Sequence, residues 1–188
     1  MSFQDLYAFA QNQAVHVNRN AIKAECLRIS DAEDIKFIRA GLDPSITRGY
    51  WLTPQNKDHH LVRQFGCHVV VSARGLNRCW ERFVVVKEMM HLFDDEKQKT
   101  DDSEKFQSLL SEFASPMIVN SDQMVPEISS FWRALSVLCP ERTRCDFQYQ
   151  RKHKQIDDYE IALRLRIPAQ YVPRLFEERY KKWLERNL

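Results

Sequence analysis

Three residues near the middle of the chain, Lys87, Glu88 and His91, stand at a spacing that could do chemistry, within RFVVVKEMMHLFDDE (82–96). In the pattern H-E-x-x-H, histidines at i and i+4 leave a helix on one face. They can hold one zinc ion while the glutamate between them polarises a metal-bound water. Here Lys87 takes the place of the first histidine, and Glu88 and His91 fill the other two positions. A lysine ammonium offers three donors and no acceptor, so it repels a metal ion unless it gives up its proton. The same ammonium suits a different task. Lying where zinc would lie and pairing with Glu88, it would neutralise a carboxylate otherwise buried without a partner.

For this chemistry the residues must sit on a helix, and the pattern predicts one. From Cys79 to Phe93 apolar side chains (Trp80, Phe83, Val84, Val86, Met90, Phe93) surround most of the cylinder, as in a helix buried at the centre of a domain. If that helix runs on, Asp95, four residues after His91, is the best substitute ligand. His59, His60, Cys67 and His68 could take part only if the fold returns them to the site.

The elements around this helix are readable in outline. Residues 3–29 predict a helix from the stripe Phe3, Leu6, Tyr7 and Ala10, and Ser30 with Glu33 suggests a capping box opening a second. The segments 46–53 and 67–75 read as strands, taken as antiparallel because no long helical segment joins them. All four glycines fall within the first 75 residues, so the later chain should be helices joined by Pro and Asx turns. Polar residues fill 94–105, helical periodicity returns at 104–115 and 127–139, and Pro126 and Pro140 bracket the latter. Two or three helices should close the chain.

Around the helix, CHVVVSARGLNRCWERFVVVKEMMHLF resembles the ImmA/IrrE metallo-endopeptidase family, in which a strand leads through an Arg-Phe pair into H-E-x-x-H. A second block, EISSFWRALSVLCP (127–140), is similar to the family's later helix, and a third, IALRLRIPAQYVPRLF, to its closing short helices. The blocks run in the family's order over roughly residues 46–180. The resemblance implies an α+β, zincin-like fold: a small antiparallel sheet packed on a central helix with further helices around it. It implies one domain over 1–188, with a core at about 46–145 and a helical part at about 155–188. It also implies Glu88 as general base and His91 and Glu127 as zinc ligands, so that a Lys87 ammonium in the place of zinc would pair with Glu88, Glu127 or both. Lys87 departs from the family at the first ligand, Met90 at a small residue, and Ser130–Phe131 at an alanine–Asn/Asp pair.

Two functions follow as expectations. The first is a degenerate, non-catalytic relative that binds a protein partner, such as a helix–turn–helix repressor, without cleaving it. The alternative is an active zinc endopeptidase that cuts such a repressor. The lost ligand favours the first, with zinc absent or weakly held.

Other constellations say less. Five cysteines with no C-x-x-C pair suit reduced structural thiols, and Cys139 reads as a buried helix-end thiol. The segment 142–154 carries five Lys/Arg against one acid, with Phe147 and Tyr149 between them. It reads first as an exposed basic loop and second as a nucleic-acid contact. DYEIALRLRIPAQYVPRLFEER has a helix–turn–helix cadence around Pro168, but Glu177 and Glu178 would repel phosphate, so a packing role is expected. A net charge of +2 compels neither a nucleic-acid nor a membrane partner, and no apolar run nears the roughly 18 residues of a membrane span. No basic start precedes a long apolar stretch at the N-terminus, so a cytoplasmic location is expected.

Overall fold

Two helices open the chain where the sequence predicts one. The structure is a computed structural model that describes residues 2–94 and 124–188. Helix α1 (Phe3–Gln11) starts at Ser2, whose hydroxyl accepts the Gln4 N–H at 3.1 Å. It stops at Asn12, and Asn18 caps α2 (Arg19–Ile29) by accepting the Asn20 N–H at 2.8 Å. Asn side chains compete with the helical ladder in this way, which divides the predicted 3–29 helix. Ser30 opens nothing. It ends α2, and its hydroxyl accepts the Ala32 N–H at 3.3 Å in a local turn, so the expected helix is replaced by strand β1 (Ile35–Ala40).

Strand β2 (Gly49–Leu52), helix α3 (His60–Phe65) and strand β3 (His68–Ala73) follow. Gly66 lets α3 end abruptly: at φ 66° it adopts the left-handed conformation and returns its N–H to the Val62 carbonyl. The sheet order is β1-β3-β2, with β2 antiparallel to β3 and β1 parallel to it. The expected all-antiparallel sheet is therefore corrected to a mixed one. The two strands seen in the sequence do pair antiparallel; the unforeseen β1 does not. Between β1 and β3 the chain has β2 and α3 in which to travel back and re-enter in the same direction.

Both faces of β3 are covered, which is why it reads as a continuous Val-Val-Val run. Val69 and Val71 pack with Leu52 and Val62 under α3, while Val70 faces the main core. On that side lies the central helix α4 (Arg78–Met89), capped by Asn77, whose side chain accepts the Trp80 N–H at 3.0 Å. Every residue from Arg82 to Met89 is buried. A 3₁₀ turn (Met90–Phe93) tightens its end.

Helix α5 (Met124–Leu138) packs beside α4, with Pro126 tolerated in its first turn. Helix α6 (Glu141–Lys152) replaces the basic loop expected at 142–154, because Thr143, Arg144 and Phe147 form a buried face at helical spacing. Helix α7 (Asp158–Leu165) opens with a reciprocal capping box between Asp157 and Glu160. The second half of the helix–turn–helix cadence forms no long helix. Two short 3₁₀ turns, Ala169–Tyr171 and Pro173–Phe176, take its place, and Val172 and Leu175 are fully buried. Pro173 has no N–H for a continuous ladder. Helix α8 (Glu178–Asn187) ends the chain.

The result is a mixed α+β architecture with a small three-stranded sheet and mostly helices, whose main apolar cluster draws on residues from Leu6 to Tyr180. Arg82 ties distant parts of it together. Its guanidinium donates to the Leu165 carbonyl at 2.6 Å, to the Arg166 carbonyl at 3.2 Å and to the Val17 carbonyl. Among the described residues no helix is long and apolar enough to cross a membrane. The predicted helix at 104–115, the distal polar segment and Asp95 lie outside the described residues.

Candidate functional site

The last turn of α4 and the first turn of α5 bring Lys87, Glu88, His91 and Glu127 together. The 3₁₀ turn continues α4 without a break, so Lys87 on α4 and His91 in that turn share a face, with Nζ and Nε2 3.5 Å apart. The Lys87 ammonium donates to Glu88 Oε1 at 3.1 Å and also to Glu127 Oε2. Glu127 projects from the first turn of α5, where the helix dipole favours a carboxylate. Its other oxygen, Oε1, is 3.2 Å from His91 Nε2, and Glu88 Oε2 is 3.6 Å from the same nitrogen.

The 3₁₀ turn after Met89 completes the arrangement. It curls Asp94 back so that Oδ2 lies 2.5 Å from His91 Nδ1. Asp94 Oδ1 in turn accepts from Arg133 of α5 at 2.6 Å, and Arg133 also reaches the Met90 carbonyl at 3.3 Å. Both ring nitrogens of His91 thus face carboxylates. With His91 protonated, the cluster holds three cations (Lys87, His91, Arg133) against three carboxylates (Glu88, Asp94, Glu127).

The electrostatics agree with that balance. Burial by itself would lower the Lys87 pKa, but Glu127 and Glu88 outweigh it and hold the ammonium above its ordinary value. Burial would raise Glu127, yet Lys87 and His91 pull it well below the usual carboxylate range. For His91, burial and Lys87 lower the pKa while hydrogen bonds to Asp94 and Glu127 raise it, and the net effect pushes it up to about 9. Lys87 is therefore a fixed cation rather than an amine nucleophile, since that chemistry needs a depressed pKa.

Zinc does not fit these residues as they stand. Two of its would-be donors, His91 Nε2 and the Glu127 carboxylate, are turned toward each other and toward the Lys87 ammonium. A divalent ion would add to two cations already matched by carboxylates. Among the described residues no group of three or more His, Cys, Asp or Glu side chains has the form of a metal site.

The suggested substitute ligands have other surroundings. His59 and His60 stack on each other at 4.7 Å where α3 begins, and His59 lies edge-on to Tyr50. Helix α3 covers the sheet face opposite α4, so the sheet separates these histidines from His91. His68 stacks on Trp51 at 4.8 Å, and Cys67 is buried.

No family model matches the chain, and no curated protein or solved structure matches it. The likeness to ImmA/IrrE peptidases accordingly rests on the three sequence blocks and their order.

Several contributors carry no sequence signal. Asp94 and Arg133 pair across two elements, and neither spacing announces the other. Gly49 is a clearer case. A side chain there would sit 2.4 Å from Val84 Cγ1 and 2.7 Å from the Val71 carbonyl oxygen, so only glycine lets β2 approach α4 beside Glu88. On the opposite flank Tyr171 packs its ring on Phe83 at 4.7 Å, Phe131 at 5.0 Å and Trp80 at 5.3 Å. Phe131, one of the departures from the family pattern, here completes an aromatic wall on α4.

Proposed function

We propose that the chain is a metallopeptidase-like protein of the ImmA/IrrE kind that has exchanged its metal for a lysine. On this reading it binds a protein partner, such as a transcriptional repressor, without cleaving it. One observation carries the reading: the Lys87 ammonium is held by Glu88 and Glu127 and lies 3.5 Å from His91 Nε2. A charge that a metal would otherwise supply is built into the chain. Glu88, which would act as general base in a working enzyme, has one oxygen on Lys87 and the other toward His91.

The second reading, a zinc endopeptidase, has one observation on its side. Asp94 fixes His91 through Nδ1, as carboxylates commonly orient metal-bound imidazoles. Elemental analysis of protein purified without chelator separates the two. Substoichiometric zinc is expected for the native chain, with zinc uptake appearing in Lys87→His. One tightly held zinc per native chain would overturn the non-catalytic reading.

A further inference from the structure

We propose that Arg48, stacked on Trp80 and bordered by Tyr171, is a recognition corner that anchors one carboxylate side chain of a partner peptide. The proposal rests on reading the cleft as a partner-binding surface, and it names the chemistry of what binds there.

Arg48 ends the segment leading into β2, and its guanidinium carbon lies 4.2 Å from the centroid of the Trp80 ring. Stacking of this kind fixes the plane of the guanidinium while leaving its N–H edges free to donate. Other arginines of the chain have found acceptors. Arg19 and Arg39 pair with Glu81, Arg133 with Asp94, and Arg82 with three backbone carbonyls. Arg48 has no carboxylate within ion-pair reach among the described residues, and it is only half-buried, as are Trp80 and Tyr171.

Its location joins it to the site. The next residue, Gly49, lies against Val84 and Glu88. Trp80 is one turn before Val84 on α4, so the corner and the Lys87 cluster share one line along that helix. Tyr171 closes the flank, edge-on to Trp80. Burial pushes its hydroxyl pKa up, and the charges of Arg48 and Lys87 partly offset that rise. Arg48 supplies a planar fork with Trp80 beneath it.

The charge count selects the occupant. Lys87 is matched by Glu88 and Glu127, so Arg48 is the one cation at this corner without an anion among the described residues. A carboxylate monoanion matches it one to one, in the bidentate geometry that arginine favours. A phosphate dianion would leave a charge unmatched beside Glu88.

A titration followed by ¹H–¹⁵N NMR, reading the side-chain Nε–H of Arg48 and the indole N–H of Trp80, tests this. The probes are acetyl-Ala-Glu-Ala-amide, its Gln counterpart and inorganic phosphate. Saturable shifts of both signals with the Glu peptide are expected, at about millimolar affinity for a single anchor. Binding should weaken about tenfold or more with the Gln peptide and in Arg48→Ala. Arg48→Lys, which keeps the charge but loses the stacked fork, should also weaken it, and each variant's backbone spectrum reports that it is folded. Equal binding of the Gln peptide, binding indifferent to Arg48→Ala, or response to phosphate alone would overturn the proposal. Zinc content judges the non-catalytic reading separately, so the two can fail independently.

Discussion

The ammonium of Lys87, in the last turn of α4, and the imidazole of His91, in the 3₁₀ turn that follows, lie 3.5 Å apart, and their surroundings favour the protonated form of each. Two adjacent buried cations are stable only because Glu127 contacts both, Glu88 bonds one and Asp94 the other. The site is a closed ion network in which each member depends on the rest.

Removing the lysine should therefore cost more than deleting a surface charge. Lys87→Met leaves Glu88 and Glu127 buried with only His91 to share, and a loss of about 3–5 kcal/mol is expected. Adding Glu127→Gln to that variant should recover part of the loss, because the uncompensated carboxylate disappears with it. Urea denaturation of Lys87→Met, Glu127→Gln and the double variant completes the cycle. An additive pair would contradict the network.

Stability should fall on the alkaline side for a reason that can be assigned. The folded-state pKa of His91 is raised from an ordinary value near 6.5 to about 9. A raised pKa means that the folded form binds the proton more tightly than the unfolded chain does. The contribution is complete below about pH 6.5 and is lost as pH climbs from there to about 9. Thermal melts across that window should show the decline, and His91→Asn should flatten it while lowering the acid-side plateau.

Gly49→Ala tests the approach of β2 to α4. The added methyl meets a Val84 methyl and a backbone carbonyl, neither of which is a flexible chain end. Overpacking of this sort costs about 1–3 kcal/mol. Val84→Ala made in the same chain should restore much of it by removing the methyl that collides.

Arg82 offers the third structural test. Arg82→Leu keeps much of the side-chain volume but strands the carbonyls of Val17 and Leu165 in a buried setting and removes the donor to Arg166. A loss of about 2–4 kcal/mol is expected from denaturation curves. Amide exchange should quicken at the ends of α7 and α2 together, whereas a local packing defect would loosen only one.

The cluster on α4 was legible because Lys87, Glu88 and His91 lie within one helical turn of each other, where spacing alone fixes the face. The placement of Glu127 came from the block EISSFWRALSVLCP. Strand β1 was hidden by its own chemistry: Ile38 and Arg39 interrupt its alternation, charged residues suit an edge strand, and Ser30 with Glu33 imitated a helix start. Asp94 eluded sequence reasoning for another reason. The regular helix stops at Met89, and the tighter 3₁₀ turn sets Asp94, the third residue after His91, against the imidazole. Arg48, Trp80 and Tyr171 come from three separate elements, and nothing local to any of them points to the others.

Arg82 also carries a consequence for the order in which the chain can become itself. On a ribosome residue 82 emerges long before residues 165 and 166, whose carbonyls occupy its guanidinium in the finished fold. Until they arrive, that guanidinium keeps its water, and the helix that bears Lys87 cannot be sealed at its first turns. Vectorial synthesis thus leaves the central helix unfinished until the closing third of the chain has been made. Lys87 follows Arg82 by five residues on the same helix, so the charge cluster stands next to the segment that closes late.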